Sequence, residues 1–201
     1  MAIRHSILLI AMLALVGGCS HQRTVDKRAK DYETVAKDPR RDTERARVEN
    51  GRAIQLIEAG KYDKAEEALK RALAADVMYG PAHNNLGKVY FQANNLYLAA
   101  WEFGYAMKLM PNVPEPRNNL GLVFEAAGNF DNAVKEYTEA LQIEPDNAEF
   151  IANSARARVR RGDTDDEVKE LLQRVVMQDT RPDWNQWARQ RLSLMGRSIE
   201  R

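Results

Sequence analysis

The sequence predicts an all-α solenoid of three clear helix-pair repeats, a degenerate fourth and a C-terminal capping helix. Three observations carry this. One block of residues, Leu86-Gly87, Tyr90, Ala99, Phe103, Ala106 and Pro111, returns 34 positions later as Leu120-Gly121, Phe124, Ala133, Tyr137, Ala140 and Pro145. Within each block the small and apolar positions keep the spacing of one face of a helix. Each block also ends in proline, which lacks an amide donor and clashes with the preceding turn, so a helix stops there.

Each position has a mechanical reason. Gly87 and Gly121 place no side chain where the two helices of a unit come closest, and Tyr90 and Phe103 fill the space beside them. Ala99 and Ala106, then Ala133 and Ala140, keep one face of the second helix thin. Stepping back one period defines a unit over 46–79, with Ala53 at the glycine position, Leu56 at the tyrosine position and Ala65, Leu69 and Ala72 in frame. Arg52 stands there in place of leucine, which fits an end repeat with an exposed start. Units two and three cover 80–113 and 114–147. The turns Gly60-Lys61-Tyr62, Asn94-Asn95-Leu96 and Gly128-Asn129-Phe130 correspond, because asparagine tolerates the left-handed backbone that glycine adopts freely.

A fourth unit, 148–180, is degenerate. Ala155, Gly162 and Leu171 are in frame, but Glu167 and Arg174 occupy the small-residue sites and Asp179 replaces the proline. Residues 181–201 then form a last helix whose Trp184, Trp187, Ala188, Leu192 and Met195 share one side. Such a helix caps core that the end of a solenoid would expose. The two tryptophans serve that packing or a binding platform.

These motifs resemble the tetratricopeptide repeat (TPR) family, and the resemblance implies units that bury their apolar faces only by stacking. It further implies that the first helix of each unit lines a concave groove holding an extended peptide or helix of a protein partner. The positions it assigns to that groove are Arg47, Asn50, Ile54, Ile57 and Glu58 in unit one and Asn84, Asn85, Lys88, Phe91 and Gln92 in unit two. Asn118, Asn119, Leu122 and Glu125 follow in unit three, and Asn153, Arg156 and Arg160 in unit four. Asn85, Asn119 and Asn153 make a ladder able to hold a peptide backbone through donor and acceptor together, or stand there as a family habit. Family members that clamp acidic chaperone tails use five set positions, read in order as lysine, asparagine, asparagine, lysine and arginine. Here those positions read Asn50, Ile54, Asn85, Glu115 and Asn119, or one unit later Asn84, Lys88, Asn119, Glu149 and Asn153. Neither register supplies the clamp.

The N-terminus carries Arg4, the apolar run Ile7 to Val16 and the small pair Gly17-Gly18 before Cys19. Residues 1–18 therefore read as a secretory signal, its apolar run too short to span a bilayer. Val16-Gly17-Gly18-Cys19 resembles the bacterial lipobox, which implies lipidation at Cys19, the single cysteine of the chain. Ser20 after it implies sorting to the outer membrane, so the expected place is the bacterial cell envelope, lipid-anchored at the periplasmic face. Residues 19–45 are too polar to fold alone and read as a tether that turns helical near its end, with Thr43 onward extending the first helix.

Without residues 1–18 the formal net charge is zero, which offers no basic surface to nucleic acid. Charge is uneven, however: residues 111–150 hold two cations against eight acids, while Arg156, Arg158, Arg160 and Arg161 form the densest basic run. That run is a solvated face, or Arg156 and Arg160 meet an acidic segment of a partner. The histidines, His5, His21 and His83, have no metal-ligand spacing, and no nucleophile–base set or phosphate loop occurs. No catalysis, metal, cofactor or small-molecule substrate is expected. The chain instead resembles TPR lipoproteins such as type IV pilotins, tight-adherence pilus lipoproteins and cell-wall hydrolase adaptors. The expectation is a non-catalytic envelope scaffold for pilus or secretion assembly, the alternatives being a hydrolase adaptor or a protein that self-associates end to end or through its cap.

Overall fold

A computed structural model describes residues 41–197. Cys19, the signal segment and most of the tether lie outside the described residues. Those described form nine helices: α1 (Thr43–Glu58), α2 (Tyr62–Ala75), α3 (Gly80–Gln92), α4 (Leu96–Leu109), α5 (Glu115–Ala126), α6 (Phe130–Ile143), α7 (Ala148–Arg161), α8 (Asp166–Gln178) and α9 (Pro182–Arg197). They pair as α1/α2, α3/α4, α5/α6 and α7/α8, with α9 packed on α8. Helix α1 starts at Thr43, so the last residues assigned to the tether belong to the fold, under an N-cap in which Asp42 accepts from the Arg45 amide.

Local chemistry sets the helix ends. Asn95, Asn129 and Asp165 each accept an amide three residues on, satisfying one free donor of α4, α6 and α8. Helices α4 and α6 end at Leu109 and Ile143, two residues before Pro111 and Pro145. Within units two and one the turn residues Asn94 (φ 58°) and Gly60 (φ 69°) are both left-handed, as their correspondence in sequence requires.

Apolar packing crosses every unit boundary. One buried cluster joins Ala53 of α1 and Leu69 of α2 to Leu86 and Val89 of α3. Another joins Phe103 of α4 to Leu120 and Val123 of α5, and a third joins Tyr137 of α6 to Ala157 of α7. The last joins Ile151 of α7, Leu172 of α8 and Ala188 of α9, with Trp184 and Trp187 packed against it. The degenerate unit is thus closed by the cap.

The first helices of successive units touch one another, α1 on α3, α3 on α5 and α5 on α7, while the second helices make no comparable contact among the described residues. The first helices therefore run along the shorter, inner arc. Within a unit the close approach is tight: a Cβ on Gly121 would lie 2.5 Å from the Tyr137 ring, and one on Gly87 2.6 Å from Phe103. Neither ring can retreat, because both are fully buried. Gly121→Ala should accordingly lower unfolding free energy by about 1–3 kcal/mol in urea titration, the usual penalty of overpacking.

Candidate functional site: the concave face and its capped end

The inner arc is made of α1, α3, α5 and α7, and its asparagines are arranged in rungs. Asn85 donates to Asn50 Oδ1 at 2.8 Å, Asn119 to Asn84 at 2.9 Å and Asn153 to Asn118 at 2.9 Å. Each rung ties the first helix of one unit to the first helix of the next. Asn50, Asn118 and Asn153 are buried, and Asn84, Asn85 and Asn119 half-buried. This narrows the sequence expectation. The ladder of Asn85, Asn119 and Asn153 commits one amide of each residue to the neighbouring unit, because a buried acceptor left unpaired is costly.

The arginines show a similar economy. Arg156 makes a two-pronged contact with Glu125, both bonds 2.7 Å, and Arg160 adds a third at 3.1 Å. The Tyr137 hydroxyl donates a fourth at 3.0 Å. Glu125 is only 4% exposed. Burial by itself raises its pKa, but the two guanidiniums and the Tyr137 hydroxyl outweigh that and hold it below the usual carboxylate range. Arg158 pairs with Glu167, and Arg161 with Asp163. The dense basic run is therefore neutralised within the chain, and neither Arg156 nor Arg160 is a free cation awaiting an acidic partner.

What the inner arc leaves open is a different set. Ile54, Lys88 and Gln92 are exposed, while Phe91 and Leu122 are half-buried against the cores beneath them. At the C-terminal end the Arg156 guanidinium lies 4.9 Å above the Trp184 ring, and Arg181 lies 4.8 Å above the same ring. Trp187 meets Trp184 edge-on at 5.6 Å. Arg156, Asp183, Trp184 and Trp187 line a largely apolar cavity of about 220 Å³. The two tryptophans thus serve the cap and also wall a recess. No helix among the described residues is long and apolar enough to cross a membrane, and none of their acids, histidines or cysteines cluster as a metal site.

Sequence reasoning did not find the Glu125 hub, although a signal was present. The equivalent positions one and two units earlier are Phe91 and Ile57. An acid at an otherwise apolar position demands a buried partner, and Arg156 and Arg160 follow one unit later. His83, which has no metal-ligand spacing in the sequence, is buried as well. Its Nδ1 meets Glu102 at 2.6 Å and its Nε2 the Val77 carbonyl at 2.9 Å. Burial disfavours the charged imidazole, yet these two acceptors outweigh it and raise its pKa.

With this geometry in hand, two family models described as tetratricopeptide repeats match residues 50–114 and 125–190, together well over half of the chain. The chain belongs to the tetratricopeptide-repeat family. Among solved structures it is similar to the first TPR domain of Spaghetti (RPAP3) bound to the HSP90 peptide SRMEEVD, at 21% identity over 62% of this chain and 99% of that one, TM-score 0.60. It is similar to MamA at 20% identity over 76% and 92%, TM-score 0.62. It is also similar to pilF of Pseudomonas aeruginosa at 15% identity over 86% and 77%, TM-score 0.69. By sequence alone no curated protein matches. At these identities the likenesses establish fold.

Two outcomes check the site. Asn153→Ala should cost about 1–3 kcal/mol in urea unfolding, since it orphans the buried Asn118 oxygen. Glu125→Gln should cost roughly 3 kcal/mol at pH 7, the low end for a broken buried pair, because the Arg156 side chain keeps 27% of its surface in water. The sign with pH follows from a depressed folded pKa. The Glu125 contribution is present above the unfolded value and lost as pH falls through the folded one, so the gap between wild type and Glu125→Gln should close below about pH 4.5.

Proposed function

We propose that this chain is a non-catalytic protein-interaction scaffold that takes an extended peptide or helix of an envelope protein along its concave face. The observation that carries this reading is the division of labour on the inner arc. The asparagines and arginines are tied to one another, while Ile54, Lys88, Phe91, Gln92 and Leu122 present a mixed apolar and polar strip leading to the tryptophan-walled recess. Such a strip suits a segment with alternate apolar anchors. Within the family, protein binding is the common role, and the Spaghetti (RPAP3) domain was solved with a bound peptide. The three cation positions of a chaperone-tail clamp are unmatched in either register, so the bound segment need not be acidic.

The lipobox resemblance supports lipidation at Cys19, and with it attachment to the periplasmic face of the outer membrane in a bacterial envelope. Pilus or secretion assembly is the setting we propose, with cell-wall hydrolase recruitment as the alternative. Lys88 and Gln92 are exposed and make no internal bond that the fold needs, so Lys88→Glu with Gln92→Ala tests the strip cleanly. The double variant should unfold like wild type and lose at least about tenfold in capture of the envelope partner, the size of one lost hot-spot contact. Unchanged capture would remove the concave-face assignment. Mass spectrometry of the captured protein separates the settings: a secretin subunit supports assembly, an amidase or endopeptidase the hydrolase reading.

A further inference from the structure

The outer side of unit two carries an aromatic ribbon that packing does not explain. Tyr97, Trp101 and Tyr105 stand four residues apart on α4 and are 74%, 53% and 42% exposed. Their ring centroids are 6.5 Å and 5.7 Å apart, and Tyr105 stacks on the His83 ring at 5.3 Å. Val77, whose carbonyl holds His83, and Met78 beside it extend the apolar surface at 59% and 49% exposure. In the middle of this face sits Gly104, where an added Cβ would meet nothing within 4 Å. A glycine inside a helix costs about 1 kcal/mol against alanine, and no neighbour among the described residues requires it.

We propose that α4 is a homodimer interface, with two copies of this chain packing their α4 helices antiparallel about a two-fold axis at Trp101. Three features select a second copy. The ribbon is palindromic in sequence: Tyr97 and Tyr105 stand four residues either side of Trp101, so a two-fold axis there sets Tyr97 of each copy against Tyr105 of the other and Trp101 against itself. Gly104, one turn from the axis, lets the helix backbones approach closely. The exposed parts of the three rings, with Val77 and Met78, amount to roughly 500 Å² per copy at the usual aromatic and aliphatic side-chain areas, so a symmetric pair removes about 1,000 Å² from water. That area sits at the low end of specific interfaces and fits a reversible dimer. Charge does not oppose the pairing. Glu102 is taken up by His83, and Lys108 lies 5.5 Å from the Tyr105 ring, near the edge of the ribbon. This surface lies on a second helix of its unit, away from the inner arc, so the concave strip stays open in both copies.

The test uses the full chain carrying Cys19→Ser, which removes the single native thiol and any lipid. Sedimentation velocity across the micromolar range should show a concentration-dependent monomer–dimer equilibrium. Gly104→Arg should weaken it at least about tenfold, the scale of one hot-spot residue, with a thermal midpoint of the dilute monomer no lower than wild type, because the added side chain meets open space and replaces a helix glycine. Disulfide trapping reads the register: Trp101→Cys should cross-link to itself, Tyr97→Cys alone should not, and a mixture of Tyr97→Cys with Tyr105→Cys should. A monomer throughout, or a dimer that Gly104→Arg leaves intact, would overturn the proposal. So would a monomer that floats with phosphatidylglycerol vesicles through Trp101, since the ribbon would then be facing lipid.

Discussion

A pair of helices of twelve to sixteen residues has more apolar surface than it can bury against itself, and everything else in this molecule follows from that deficit. Each buried cluster spans two successive units, or the last unit and the cap. A stack built this way has two open ends. The N-terminal end is met by a unit whose α1 is sparingly apolar, with Arg52 exposed at its outer position. The C-terminal end is met by α9, whose tryptophans cover α7 and α8.

Apolar stacking alone leaves the rotation between units loosely specified. The polar contacts on the inner arc remove that freedom. Three asparagine rungs tie each first helix to the next, and the Glu125 hub ties α5 to α6 and α7 with four hydrogen bonds. Arg156 then carries the constraint onward, because its other face rests on Trp184 of α9. Groups buried this deeply must be satisfied or they destabilise the fold, so satisfying them fixes the curvature. For the proposed binding strip, a fixed curvature would hold Lys88, Phe91 and Gln92 in a set relation to Leu122, which would lower the ordering cost of binding.

The repeat architecture was legible in the sequence because its determinants are local and periodic. The glycine–aromatic contacts of Gly87 with Phe103 and Gly121 with Tyr137, the turn residues and the helix-stopping prolines each act within one unit. The candidate site was legible only as a set of positions. Whether Asn119 or Arg156 faces a partner or a neighbour depends on a residue some 31 to 35 positions away, and one sequence does not display such pairing. Glu125 was the exception, since an acid between Ile57, Phe91 and Val159 in the same repeat position signals a buried ion pair. The aromatic ribbon escaped notice for the opposite reason: on α4 (Leu96–Leu109) aromatic residues occur on both faces, so periodicity did not separate Tyr97, Trp101 and Tyr105 from buried Phe103.

Two faces are proposed to bind, the inner arc a different protein and the outer ribbon of α4 a second copy. Site-specific photo-crosslinking in intact cells addresses both faces at once, with the probe at position 88 on the inner arc or at position 97 on the ribbon. The account predicts a heterologous envelope-protein adduct from position 88 and a self-adduct of twice the chain mass from position 97. The same adduct from both positions, or a self-adduct from position 88, would contradict it.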